Sequence, residues 1–262
     1  MKIETRAKAV ANAILRLAGV QLTRLDSCAD REWFYPAVES CQIPTLPFLL
    51  ELFFGKRNTG TFVEVGAFDG ITYSNTWGLA ERGWTGVMAE PVPALAAKCR
   101  KNHQIHSSVK VIQTAVGSEP GVTSLIVAGE LTTANHAQAT EYRDIDWARK
   151  LVTDTSIEVP VTTLDALLEE QKAPAEFDLL VVDVEGSEAA VFAGFALSRW
   201  LPKMIIVELA DTHPDLSTTA NADARLSTQI LTECYRIVYK DSINTIFVSE
   251  RLFSATYEPT QA

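Results

Sequence analysis

Residues 62–70 read FVEVGAFDG. An apolar run enters a turn that carries Gly66 and Gly70, with Glu64 before the first glycine and Asp69 just ahead of the second. A strand that runs into a glycine turn and then a helix opens one unit of an open α/β sheet, and ligands approach such sheets at these turns. The dinucleotide form of the turn is G-x-G-x-x-G, with amides packed against pyrophosphate. Here the middle glycine is missing, and Asp69 beside that path would repel phosphate.

The rest of the chain has the same organisation. TGVMAEP reads as a second strand, PALAAKCRKNH as a helix and VKVIQTAVG as a third strand. FDLLVVDVEG and KMIIVEL are buried strands, with a helix from Glu188 between them, and another helix is expected near residues 75–83. Short apolar runs alternating with helical patterns indicate βαβ units and a parallel sheet. Near the end, a helix over about 221–233 precedes YRIVYK and NTIFVS, which are joined only by DSI. So short a link forces the two strands to pair antiparallel. A parallel sheet finished by an antiparallel hairpin is how Rossmann-like methyltransferases end, whereas dehydrogenase domains usually stay parallel. The expected fold is α/β and Rossmann-like: a mostly parallel seven-stranded sheet with a C-terminal antiparallel hairpin, plus an N-terminal helical extension.

Residues 1–45 read as an accessory segment and 46–262 as the main domain, entered through a short helix at PFLLELFF, 47–54. GVTSLIVAG reads as an extra strand, and SIEVPVTTLDALL as a strand followed by a helix capped by Thr162 or Thr163. Residues 129–155 are polar with little periodicity and are expected to form a substrate lid or loop.

The 262 residues suit one generous domain, and 47% hydrophobic content supplies its core. A net charge of -10 argues against nucleic acid as the main partner, because phosphate binding needs clustered cations. Cys28, Cys41, Cys99 and Cys234 show neither a C-x-x-C pair nor zinc spacing, so reduced thiols in a cytoplasmic protein are expected over a Cys28–Cys41 disulfide. No stretch is apolar enough to span a bilayer. Residues 3–20 read as an amphipathic helix, locally basic through Lys2, Arg6, Lys8, Arg16 and Arg24. It would pack on the domain or a second subunit, or touch a membrane surface. A homodimer is the default assembly.

An acid–glycine turn suits a ligand with a cationic end. S-adenosylmethionine carries an ammonium and a sulfonium and no phosphate. Glu64 and Asp69 would attract the ammonium, Gly66 would let the backbone approach the methionine part, and Gly70 would supply a positive-φ turn. The second strand ends in Glu90 and Pro91, about twenty residues beyond the loop, where an acid can accept bonds from both ribose hydroxyls. Thr114 and Ala115, at the end of the third strand, would lie near the adenine.

VVDVEGSE places Asp183 at a strand tip and Glu185 just past it, with Glu188 opening a helix where negative charge is favourable. Glu208 ends the next strand and His213 follows in a loop. Asp183, Glu185, Glu208 and His213 are the candidates to converge on the methyl group. A crowded carboxylate or the imidazole would take the proton of an attacking hydroxyl. Several acids at one edge also admit a divalent metal, which is not favoured because no dedicated metal motif is present. His103, His106 and His136 look scattered, with His136 in the expected lid.

Taken in order, FVEVGAFDGITYSNT, GLAERGWTGVMAEPVP, TAVG, VPVTTLDALL, FDLLVVDVEGSE and IIVEL resemble the FkbM-type methyltransferase family, from about Thr61 to Val248. The SNT tripeptide, Ser74-Asn75-Thr76, also resembles the branch that includes Star-like proteins. The resemblance implies S-adenosylmethionine as methyl donor and O-methylation of a hydroxyl on a sugar, glycan or secondary metabolite. By position, Glu64, Gly66, Asp69 and Gly70 would hold the methionine part and Glu90 the ribose. Ser74 and Asn75 would cap the first helix or reach the cofactor. One alternative is a non-catalytic cofactor-binding or interaction protein of the same fold. The other, a nicotinamide oxidoreductase, is opposed by the incomplete glycine motif and the terminal hairpin.

Overall fold

The computed structural model describes residues 33–257, and from Phe34 onward these form one compact unit. The helix expected over 3–20 and Cys28 lie outside the described residues. Cys41, Cys99 and Cys234 are free thiols. No helix among the described residues is long and apolar enough to cross a membrane.

The strands are β1 (Thr61–Val65), β2 (Thr85–Ala89), β3 (Val109–Ile112), β4 (Ala115–Val116), β5 (Gly121–Ile126), β6 (Ser156–Thr162), β7 (Leu179–Val182), β8 (Met204–Glu208), β9 (Tyr235–Lys240) and β10 (Asn244–Ser249). The helices are α1 (Leu46–Phe54), α2 (Trp77–Glu81), α3 (Pro93–Asn102), α4 (His136–Asp144), α5 (Leu164–Gln171), α6 (Glu188–Ala193), α7 (Leu197–Trp200), α8 (Ala220–Thr232) and α9 (Glu250–Tyr257).

Seven strands form the main sheet in the order β3-β2-β1-β7-β8-β10-β9. All neighbours pair parallel except β10, which runs antiparallel to both β8 and β9. The expected hairpin is therefore present. Asp241 tightens its turn by accepting bonds from the amides of Ile243 (2.8 Å) and Asn244 (2.6 Å).

Both faces of this sheet are covered, and the two-residue period of a strand explains how. Val63, Val65, Leu180, Val182, Ile205 and Val207 point to one face and join the apolar sides of α5 to α8. Phe62, Met88, Leu179, Val181, Met204 and Ile206 point to the other and meet α1 and α2. Leu46, Leu49, Leu50 and Phe53 of α1 recur every three or four residues and are buried there. Tyr35 and Ile43 belong to the same core, so residues 34–45, read as accessory from the sequence, pack as part of the domain.

Two sequence readings change. The third strand does not run through TAVG: β3 stops at Ile112 and the chain leaves the main sheet. Ala115 and Val116 then pair parallel with Val161 and Thr162 in a separate sheet, β4-β6-β5. Thr114 makes the break, its hydroxyl donating to the carbonyls of Ala115 and Pro160. The polar stretch expected as lid or loop also contains a helix, α4. Asn135 caps it by accepting from the amides of Ala137 and Gln138, both at 3.1 Å. Gln138, Ala139 and Tyr142 are its buried side, and Tyr142 joins a small separate core with Leu131, Ala148 and Leu216. The cap of α5 is Thr163, whose hydroxyl accepts from the amide of Ala166.

Candidate active site

The strand order reverses between β1 and β7, and a cavity of about 400 Å³ opens over the strand tips there. The two central strands almost touch at this point. Gly66 has φ +89°, and a Cβ on it would lie 1.6 Å from the carbonyl oxygen of Asp183. Its amide donates to Ala89, while Asp183 donates its amide to Val65, so neither backbone can yield. Glycine is required here by close approach as well as by its dihedral angle.

Glu64 lies on the cavity wall, only 4% exposed, and accepts a 2.6 Å bond from the Thr76 hydroxyl. Burial, together with the charge of Asp183, pushes its pKa up to about 8 against the effect of that bond. Glu90 is equally buried and accepts from the amides of Phe68 (2.9 Å) and Val92 (2.8 Å). Burial raises it to about 7 despite those bonds. Each of its oxygens has a further lone pair for a hydroxyl in the cavity. Pro91, Ala115, Ser74 and Asn75 also line the wall. Ser74 at the same time accepts from the amides of Thr76 and Trp77, as a helix cap does.

Asp69 and Gly70 stand outside the lining, and this corrects their expected contact with the cofactor. Asp69 turns inward. It accepts from the amides of Ile71 and Thr72 and from the Thr72 hydroxyl, and pairs with Lys98 at 2.8 Å. Burial opposes its charge, but Lys98 and these donors overcome it and hold its pKa down at about 2. Gly70, at φ +77°, packs where a Cβ would strike Cys99 and His103. Both residues build the loop.

Asp183, Glu185 and Glu208 converge at the inner end of the cavity, each able to place one oxygen within 4.8 Å of the others. Glu185 is held in the left-handed region at φ 54°. Its carboxylate accepts a 2.5 Å bond from the Tyr142 hydroxyl, and its carbonyl accepts one from Thr133 at 2.6 Å. Burial and the Asp183 charge push both Glu185 and Glu208 well above the ordinary carboxylate range. Glu188 serves the helix start, accepting from the amides of Val184 and Gly186, and burial raises it to about 8.

His213 is not brought to these acids. Its Nδ1 accepts from the amides of Asp215 and Leu216, which turns the loop locally. His136 is exposed at the start of α4 and away from the lining. His103 and His106, scattered in sequence, meet with Nδ1 atoms 3.0 Å apart, and His103 reaches the Gly70 carbonyl. Glu130 and Trp147, which line the cavity, and Thr76 and Tyr142, which hold Glu64 and Glu185, were not singled out from the sequence. Trp147 stands at the cavity 48% exposed. An aromatic side chain inside a polar connection was the signal for it.

Several buried acids hold protons in the folded state that the unfolded chain releases near pH 4.5. Their folded values are raised, so their contribution to stability is full below about 4.5 and is lost as pH rises through about 7 to 8. The ligand-free protein should therefore melt on the order of 5 °C lower at pH about 9 than at pH about 6, and Glu64→Gln should flatten part of that slope. Calorimetric melts across this range decide it. A flat or rising melting temperature would mean that these carboxylates are ionised throughout.

A sheet of this order, ended by a reversed strand and carrying an acid at the tips of β1 and β2, is that of the Rossmann-like methyltransferases. Residues 64–234 match the family model described as the methyltransferase FkbM domain, and the chain belongs to that family. A curated relative, Methyltransferase 1 of Beauveria bassiana (strain ARSEF 2860), is 29% identical over 140 residues. That match spans 49% of this chain and 56% of the relative. Among solved structures, an O-methyltransferase from Bacillus cereus in complex with SAH is similar at TM-score 0.45 and 16% identity, over 92% of this chain and 97% of that one. The O-methyltransferase TomG from Streptomyces achromogenes is similar at TM-score 0.44 and 14% identity, covering 78% and 77%.

Proposed function

We propose that the chain uses S-adenosylmethionine to methylate a hydroxyl oxygen on a sugar, glycan or secondary metabolite. One observation carries this reading. Among the described residues, the cavity lining includes Glu64, Glu90, Glu130, Asp183, Glu185 and Glu208 and no Lys, Arg or His. Such a wall suits a ligand with a sulfonium and an ammonium and opposes phosphate-bearing cofactors. It also favours an uncharged or cationic acceptor over a polyanion.

When bound, the cofactor supplies a methyl group that the acceptor oxygen takes in line while the C–S electron pair stays on sulfur. The chain's own residues do the rest. Glu90 accepts from the ribose hydroxyls, and Gly66 admits the methionine part against the backbone. Asp183 and Glu208 lie where the acceptor hydroxyl would point and receive its proton as the C–O bond forms. Most of the acceleration assigned to the protein is alignment of the two reacting atoms.

The test is calorimetric titration of the folded protein with S-adenosylhomocysteine, followed by label transfer from S-adenosylmethionine to a panel of hydroxyl compounds. Micromolar binding with transfer supports the reading. Binding without transfer to any acceptor favours the non-catalytic alternative, and absence of binding removes both.

A further inference from the structure

Trp147 is the largest side chain on the cavity wall, and no contact assigned to the methyl donor uses it. It stands 48% exposed, although an indole is a large apolar body that burial would stabilise. The chain around it explains its outward course. Ala148 is buried in the small core with Leu131, Tyr142 and Leu216, and Ile145 and Leu151 pack against that core. With these neighbours turned inward, Trp147 is left to the cavity.

The ring is exposed but braced. Its Nε1–H donates to the Asp215 carboxylate at 3.3 Å. Tyr142 of α4 and His213 of the loop after β8 flank it, with ring centroids 6.3 and 6.2 Å away at interplanar angles of 56° and 54°. A ring already held in place loses little freedom when a ligand covers it. Its polar handle is engaged, so it offers that ligand its π-face, the negative part of an aromatic quadrupole. The rest of the wall narrows the ligand further. Leu125, Leu131 and Leu151 add apolar surface, while Glu130, Asp183 and Glu208 add acceptors. The Thr132 hydroxyl is spent, donating to the Gly129 carbonyl at 2.7 Å and accepting from the Ala128 amide at 3.0 Å. The matching ligand has a flat C–H face, several hydroxyl donors and no negative charge. A pyranose has its C–H bonds gathered on one face and its hydroxyls around the rim. A phenol has the flat face but too few hydroxyls to use the acids.

We infer that Trp147 is the platform on which the methyl acceptor stacks, and that this acceptor is a neutral pyranose, free or in a glycoside. Trp147 then determines specificity: it selects a ring with an apolar face and fixes the plane in which its hydroxyls meet the acids. The inference rests on the proposed methyltransferase function for the transfer step, but sugar binding is measured without turnover.

The experiment is saturation-transfer NMR on the full chain, with and without S-adenosylhomocysteine. The probes are methyl glycosides of glucose, galactose, mannose, rhamnose and N-acetylglucosamine, with phenol and catechol for contrast. At least one glycoside should receive saturation, strongest on the C–H protons of one face. Trp147→Ala should weaken its binding about 10-fold or more, and Trp147→Phe, which keeps a π-face, should retain most of it. Trp147→Leu, apolar but without that face, replaces Trp147→Ala if the latter does not fold. Calorimetric affinity for S-adenosylhomocysteine should stay within about 2-fold in every variant. In label transfer, loss of the indole should raise KM for the glycoside more than it lowers kcat. No glycoside binding, a preference for the phenols, or binding that Trp147→Ala and Trp147→Leu leave unchanged overturns the inference. Failure of the methyltransferase reading looks different: glycosides bind through Trp147, but S-adenosylhomocysteine does not bind and no label is transferred.

Discussion

Gly66→Ala is expected to melt about 6 °C or more below the parent chain and to lose S-adenosylhomocysteine binding. The added methyl meets the Asp183 carbonyl oxygen at 1.6 Å, and both strands are held there, the Gly66 amide bonded to Ala89 and the Asp183 amide to Val65. Relief requires the two central strands to part, and those strands carry the cavity. Gly129→Ala is the matched control. Its glycine also has positive φ, at +64°, but a Cβ there meets nothing within 4 Å. It should cost only about 1 kcal/mol. If both variants melt alike, the strain lies in the dihedral angle alone and the contact with Asp183 is unimportant.

Glu90→Ala should weaken S-adenosylhomocysteine about 100-fold or more, since two hydroxyl bonds to a carboxylate are each worth about 1.5–3 kcal/mol. Loop damage would imitate part of that loss, because the same carboxylate braces the Phe68 and Val92 amides. A 2′-deoxy analogue separates the two effects. Removing the hydroxyl should penalise the parent protein and leave the variant almost unaffected, as expected when two partners share one interaction. Equal penalties in both would place the ribose elsewhere.

The main sheet was legible because its signals are local. Apolar runs at FVEV, LLVV and MIIV announce buried strands, and the DSI link leaves the last two strands no parallel option. The positions of Glu90 and Asp183 on the cavity wall were legible for the same reason, since a strand tip has a fixed place in an open sheet. Asp69 was misread because its charge was visible and its partner was not: Lys98 lies on α3, beyond α2 and β2, and only folding brings it to 2.8 Å. His213 was placed by proximity to Glu208 in sequence, but a loop residue is free to turn its ring onto its own backbone. Helix α4 was hidden for a different reason. Its inward side is short and largely polar, with Gln138 and Tyr142 facing groups contributed from far along the chain. No periodicity in the segment records such partners.

The detour that begins after β3 has a closed neck. The strand by which the chain leaves, Ala115–Val116, is hydrogen-bonded to the one by which it returns, through Val161 and Thr162. Neighbouring strands stand about 5 Å apart, so the roughly forty residues between form a handle whose two ends meet, while Thr133, Asn135 and Tyr142 fasten its middle to Glu185 and Gly186. The body supplies Glu64, Glu90, Asp183 and Glu208 to the cavity wall, and the handle supplies Glu130 and Trp147. A change within the handle thus reaches the cavity by two routes, through the residues it lends to the wall and through those that hold Glu185 in place.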